Sequence, residues 1–271
     1  MDHAARLLAA DEPSPVLLHP PGADRAARWA LHEGPFLLAA DHAGRRIPRS
    51  LDGLGLSEAE RARHIGWDIG IWAVTTALAD ALQTLAIGQA YSRLVIDCNR
   101  APHWPTACPQ ISESTPIPGN AALSPAARAA RVAEIHAPYH AAVAALVRAR
   151  LATGRPLLFV AMHSFTPVYK GVARPWHAGV LYDETDARSI PLAHAMLDLL
   201  RAEPGLVVGA NEPYVLSASS DHSVPTHAQA HGVPYLELEI RQDLIATPEG
   251  QAAWSARLAR LIPAAWAACT T

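Results

Sequence analysis

A chain of 271 residues, half of them hydrophobic and 17% charged, can bury a sizeable core and does not have the composition of a disordered protein. The formal net charge is -3 with no run of Lys or Arg, which argues against a nucleic-acid or acidic-membrane partner. The three cysteines, Cys98, Cys108 and Cys269, lack CxxC spacing and so point away from a disulfide framework and a thiolate zinc site. No apolar run approaches the roughly 18 residues that span a bilayer. The opening Met1-Asp2-His3-Ala4-Ala5-Arg6 lacks the basic-then-apolar order of a signal peptide. The expectation is a soluble, cytoplasmic protein.

Residues 1–33, Ala- and Pro-rich with weak periodicity, read as a lead-in to a single α/β domain spanning 1–271. Gly34-Pro35 then opens the apolar run Phe36-Leu37-Leu38-Ala39-Ala40, which reads as a buried strand. Such strands present chemistry where the chain leaves their carboxyl ends, and here that place carries Asp41 and His42. Alone, a loop histidine ordinarily hydrogen-bonds its own turn. A second apolar strand, 157–162, ends the same way on His163. Two histidines delivered by neighbouring strands could hold a metal between them.

Between these strands, Ser57-Glu58-Ala59-Glu60 is a capping box that opens a helical stretch. Gly66-Trp67-Asp68-Ile69-Gly70 breaks it, and an apolar helix is expected over 71–85. Asp68, set among Ile65, Trp67, Ile69 and Ile71, is an N-cap of that helix, a carboxylate metal ligand, or both. Residues 89–97 read as a strand by their aromatic and β-branched content. That leaves Asn99 and Arg100 at its exit, where a guanidinium can clamp a carboxylate bidentately. Residues 102–119 read as an irregular loop, a pocket wall or lid. Ser124-Pro125 caps a helix to Arg150 with a kink near Pro138, carrying His136, Tyr139 and His140 as packing or surface residues.

Further on, strands are expected over 177–182 and 206–210, with a helix over 189–202 between them. A loop with Asp221-His222 leads to a short helix ending near Gly232. Residues 233–241 alternate apolar and charged positions, the mark of a half-exposed strand with Glu237 and Glu239 on one side. Thr247-Pro248-Glu249 caps a final helix running towards Pro263. The alternation of strands and helices gives an α/β fold with a mixed, mostly parallel central sheet flanked by helices.

Six segments stand together in order: Asp41-His42-Ala43-Gly44 with Ile47-Pro48, Gly66-Trp67-Asp68, Ser92-Arg93-Leu94-Val95-Ile96-Asp97-Cys98-Asn99-Arg100, His163-Ser164-Phe165, Asn211-Glu212-Pro213-Tyr214 and Glu239-Ile240-Arg241. The set resembles the N-formylglutamate amidohydrolase family, and the resemblance covers residues 41–241. It implies a fold like that of zinc carboxypeptidases and aspartoacylases. It further implies Zn2+, or another divalent transition metal, held by His42, Asp68 and His163. Glu239 then matches the glutamate that acts on the metal-bound water, and Asn99 with Arg100 the pair that holds a substrate carboxylate. Asp41 stands where the family often has proline and adds a charge near the metal. Carboxypeptidases and aspartoacylases place their acid ligand three residues after the first histidine, where this chain has Arg45. The carboxylate is instead Asp68, by its Gly-Trp-Asp match.

The implied activity is hydrolysis of a small N-acyl amino acid, such as N-formyl-L-glutamate, to the free amino acid and formate. Two imidazoles and one carboxylate leave a fourth zinc position for water, whose hydroxide becomes available near neutral pH. Glu239 would carry its proton to the leaving amine. Arg174 is a candidate partner for the developing oxyanion. The absence of a GxSxG elbow disfavours a serine hydrolase. Rival readings are a carboxypeptidase-like or other N-acyl amino acid deacylase, a non-catalytic relative, and an oxygenase using two histidines and one carboxylate.

Overall fold

The computed structural model describes residues 6–22 and 25–270. Residues 1–5, on which the signal-peptide reading mostly rests, lie outside the described residues. A seven-stranded sheet forms the centre. In chain order its strands are β1 (Val16–His19), β2 (Phe36–Ala40), β3 (Leu85–Gln89), β4 (Leu158–Phe165), β5 (Ala178–Leu181), β6 (Val208–Ala210) and β7 (Tyr235–Arg241). In space they run β1-β3-β2-β4-β7-β5-β6. The central four, β3, β2, β4 and β7, are parallel; β1 and β5 pair antiparallel with β3 and β7, and β6 is parallel to β5. The expected mixed, mostly parallel sheet is present.

β2 is buried along its whole length, and its period of two divides its side chains between two layers. Phe36, Leu38 and Ala40 join one layer with Val74 and Leu78 of α1 (Ile71–Ala81), and with residues of two later helices on the same face. Leu37 and Ala39 join the other layer with Tyr139, Val143 and Val147 of α2 (Ala137–Leu151). The later helices on the α1 face are α3 (Ile190–Arg201) and α4 (Pro248–Thr270). Each fully buried leucine contributes about 1.5–3 kcal/mol, so the carboxyl ends of the central strands rest on a firm platform. In β4, Leu158, Val160 and Met162 face the α1 layer, while Phe159 and Ala161 face α2. The same alternation puts His163 on the α2 side, and in β7 it puts Glu237 and Glu239 there with Tyr235.

Several boundaries depart from expectation. The helix after Asp68 stops at Ala81 because the chain turns at Gln83 (φ 50) and starts β3 at Leu85. Residues 90–97 form a loop instead of a strand, since their backbone finds other partners. Ser92 N donates to Arg46 O at 2.7 Å, while Asn120 and Arg131 donate to the Leu94 and Val95 carbonyls, each at 2.9 Å. The lead-in carries an edge strand, β1. β7 is buried up to its last residue, because β4 and β5 flank it on either side. Ser124 caps the helix Pro125–Arg131 as expected, and a π-helical turn, Val132–His136, takes the place of a simple kink just upstream of Pro138. Pro263 lies inside α4 and does not end it. No helix among the described residues is long and apolar enough to cross a membrane.

Candidate metal centre

β2 and β4 are parallel neighbours, so the turn after β2 meets the last residues of β4 at one edge of the sheet. His42 sits on that turn, and His163 lies inside β4 rather than beyond its exit. Asp68 comes from the loop ahead of α1. It is not the N-cap of that helix: Gly70 holds the position in the left-handed conformation, at φ 80. The Asp68 carboxylate turns to the sheet edge instead. Its Oδ2 accepts from His163 Nδ1 and from Ser164 N, both at 3.1 Å, and lies 3.5 Å from His42 Nδ1. All three side chains are buried, and one ligand atom from each lies within 4.8 Å of the others. Tetrahedral zinc with bonds of about 2.0–2.2 Å separates its ligand atoms by about 3.3–3.6 Å, close to the spacing around Asp68.

Carboxylates stand behind both histidines. His42 Nε2 hydrogen-bonds Asp97 Oδ1 at 2.7 Å, and Asp97 accepts in turn from Asn99 N at 2.9 Å and Arg93 Nη2 at 2.7 Å. His163 Nε2 lies 3.8 Å from Asp41 Oδ2. The other Asp41 oxygen accepts from Tyr139 Oη at 2.7 Å and Ser223 Oγ at 2.8 Å. A carboxylate hydrogen-bonded behind an imidazole, as Asp97 is behind His42, fixes its tautomer and turns the opposite lone pair towards a metal, whereas His163 Nε2 has no hydrogen-bond partner among the described residues. His42 Nδ1 has no hydrogen-bond partner among the described residues. A buried nitrogen left in that state, facing a carboxylate, suits a ligand other than protein. The donor set fits a divalent metal ion.

The same neighbours set the charge of the carboxyl groups. Burial pushes the Asp68 carboxyl up, but His42 and His163 overcome it and hold the group well below the usual carboxylate range. Burial likewise opposes charge on Asp97, and Arg93 with His42 more than offsets it, keeping Asp97 ionised. Glu239 is different. It pairs in register with His163 on the adjacent parallel strand, so both point to the same side of the sheet. Burial raises its carboxyl to about 7, and its Oε2 has no hydrogen-bond partner among the described residues. Glu237, in register with Ala161, is held well above the usual range by burial and by Asp221.

A cleft of about 520 Å³ opens over these groups. The expected wall is there: Thr106, Pro109, Ile111 and Glu113 of the 102–119 loop line it, together with Tyr169 and Tyr214. Asn99 and Arg100 also line it, but differently. Asn99 is a cross-link, donating to Asp221 Oδ1 at 3.0 Å and accepting from the His222 and Ser223 amides at 2.9 and 3.1 Å. Arg100 donates to the Asn99 carbonyl at 2.8 Å and lies 3.8 Å from Asp221. Arg174 donates to Tyr214 Oη at 3.0 Å and stacks over the Tyr169 and Tyr214 rings. The guanidinium that reaches the cluster is Arg93, 3.6 Å from Asp68 Oδ1. Sequence reading passed over Arg93 and Asp97 as site residues because it placed them in a strand; their i, i+4 pairing was the available signal.

The sequence matches the N-formylglutamate amidohydrolase family over residues 34–246. No curated protein matches it. Among solved structures, gene product Atu2144 from Agrobacterium tumefaciens is similar at 36% identity with a TM-score of 0.89, covering 98% of this chain and 100% of that one. N-formylglutamate amidohydrolase from Ralstonia eutropha JMP134 shares the fold at 20% identity and a TM-score of 0.66, covering 94% and 98%. The family match begins two residues before β2, which leads to His42, and ends just past β7, which carries Glu239. It thus encloses every group described above, and the chain belongs to the N-formylglutamate amidohydrolase family.

Proposed function

We propose that this amidohydrolase is zinc-dependent and cleaves a small N-acyl amino acid, N-formyl-L-glutamate being the simplest fit, to the free amino acid and formate. The observation that carries the reading is the convergence of His42 Nδ1, His163 Nδ1 and Asp68 Oδ2 in a buried cluster beneath the cleft, with Glu239 beside it. When bound by His42, Asp68 and His163, a divalent ion supplies a more acidic water and polarises the acyl oxygen. Glu239, held near the midpoint of its titration by burial, takes the proton from the attacking water and returns it to the leaving nitrogen. Asp97 keeps the His42 imidazole oriented.

Arg100 is the cation best suited to a substrate carboxylate. Arg93 is already committed to Asp97 and Asp68, whereas Arg100 gives one hydrogen bond to a carbonyl, lies 3.8 Å from Asp221 and lines the cleft. The cleft volume of about 520 Å³ suits a small substrate. A product assay on Zn2+-loaded protein tests the reading with N-formyl, N-acetyl and N-succinyl amino acids and short peptides. The highest kcat/KM is expected for an N-formyl acidic amino acid. Preferential release of C-terminal residues from peptides would favour the carboxypeptidase-like alternative instead.

A further inference from the structure

Next to the Asn99–Arg100 loop, and not among the residues lining the cleft, the fold gathers four imidazoles that the proposed chemistry does not use. His136 closes the π-helical turn and His140 follows one turn later on α2, so the two project along one helix face. Their ring centroids are 4.3 Å apart. The bend between the 218–220 turn and the helix Ser223–His227 brings His222 to 5.4 Å from His136 and 4.7 Å from His140, centroid to centroid. His227, on the short helix Ser223–His227, stacks on His140 at 5.1 Å. One nitrogen from each of His136, His140 and His222 lies within 4.8 Å of the others.

Hydrogen bonds orient two of these rings as a metal site requires, and His222 Nδ1 contacts Thr226 Oγ1 at 3.3 Å. His136 Nε2 donates to the Arg100 carbonyl at 3.0 Å, and His140 Nε2 donates to the Cys98 carbonyl at 2.8 Å. A ring N–H held by a backbone carbonyl leaves the Nδ1 lone pair outward, the usual support for a metal-ligating histidine. Burial lowers the pKa of His136, His140 and His222, which keeps their lone pairs available near neutral pH. The remaining ring supplies an unexplained atom. His227 Nε2 contacts His140 Nδ1 at 2.8 Å, and its own Nδ1 is buried without a hydrogen-bond partner among the described residues. Since His140 Nε2 already carries that ring's proton, His227 Nε2 must be the donor in this contact. In that arrangement His140 Nδ1 accepts the His227 N–H, and moving the proton from Nε2 to Nδ1 of His227 frees both lone pairs for an ion.

We infer that His136, His140 and His222 form a second metal site, for a borderline divalent transition ion such as Zn2+, Ni2+ or Cu2+, with His227 able to complete a tetrahedral set. An all-imidazole donor set suits these ions and not Mg2+ or Ca2+. The ion would bring ligand atoms that lie within 4.8 Å of one another to separations of about 3.3–3.6 Å. It would also tie α2 to the 221–227 segment and, through the two carbonyls, to the loop that carries Asn99 and Arg100. The role is structural: it steadies the proposed carboxylate-binding side of the cleft.

Metal stoichiometry tests this without any activity assay. The chelator-stripped full chain is titrated with Zn2+ by calorimetry, and separately with Co2+ by its visible absorption. The expected result is two equivalents for the wild type, and one for either His136→Gln or His222→Gln. The second variant lies on the partly exposed turn, so it remains informative if the buried substitution at His136 unfolds the chain. His163→Asn should lose the other equivalent and keep this one, which separates failure of this inference from failure of the proposed zinc centre. Wild-type stoichiometry unaffected by His222→Gln in a folded protein, or loss of both equivalents through His163→Asn alone, would overturn it.

Discussion

At the scale of single residues, the proposed chemistry rests on Glu239 and on the cation facing the substrate. Glu239→Gln keeps the shape and removes the base. It should lower kcat by about 10²–10⁴-fold and leave the Zn2+ content unchanged, as read by metal analysis beside steady-state kinetics. An unaltered kcat would pass the role to Glu237, two residues earlier on the same face of β7. Arg100→Lys keeps the charge and loses the paired fork of donors. A loss of about 10² in kcat/KM for N-acyl amino acids, roughly 2.7 kcal/mol, is expected, with little change for an uncharged ester. Equal losses on both substrates would mean that Arg100 supports the Asn99–Asp221 junction and not substrate binding.

Among the elements, the loop before α1 decides whether Asp68 reaches the histidines. Gly70 begins that helix at φ 80, and a Cβ there would stand 2.1 Å from the Ile245 carbonyl oxygen. Gly70→Ala therefore combines backbone strain with a clash and should destabilise by about 2–4 kcal/mol. A urea midpoint unchanged from the wild type would contradict this. Phe36–Ala40 and the run 157–162 were legible as buried strands because an apolar run between turn signals has few alternatives, although the second strand extends through His163 to Phe165. Residues 90–97 look equally strand-like, yet side chains of Asn120 and Arg131, remote in sequence, take their carbonyls. Periodicity carries no information about such partners. Glu237 and Glu239 misled for a related reason: alternation gives the face of a strand, not whether that face meets solvent or a polar cleft.

For the whole molecule, protons and metal should both set stability. Burial pushes His227 down from 6.5 to about 4, with His222, His231 and Arg148 opposing its charge, Asp41 favouring it and His140 in direct contact. The unfolded chain takes up this proton near pH 6.5 and the folded chain only near pH 4. The contribution is therefore intact above 6.5 and is lost as the pH falls to 4, by about 3 kcal/mol. Urea midpoints of the metal-stripped protein between pH 7.5 and 4.5 should fall more steeply for the wild type than for His227→Gln, and parallel slopes would contradict the assignment. The central claim, that hydrolysis depends on an ion held by His42, Asp68 and His163, is met most directly by following formate release from N-formyl-L-glutamate. The chelator-stripped wild type should release none, recover on addition of Zn2+, and fail to recover when His163 is replaced by Asn. Undiminished formate release by the stripped protein, or by the folded His163→Asn variant, would contradict the account.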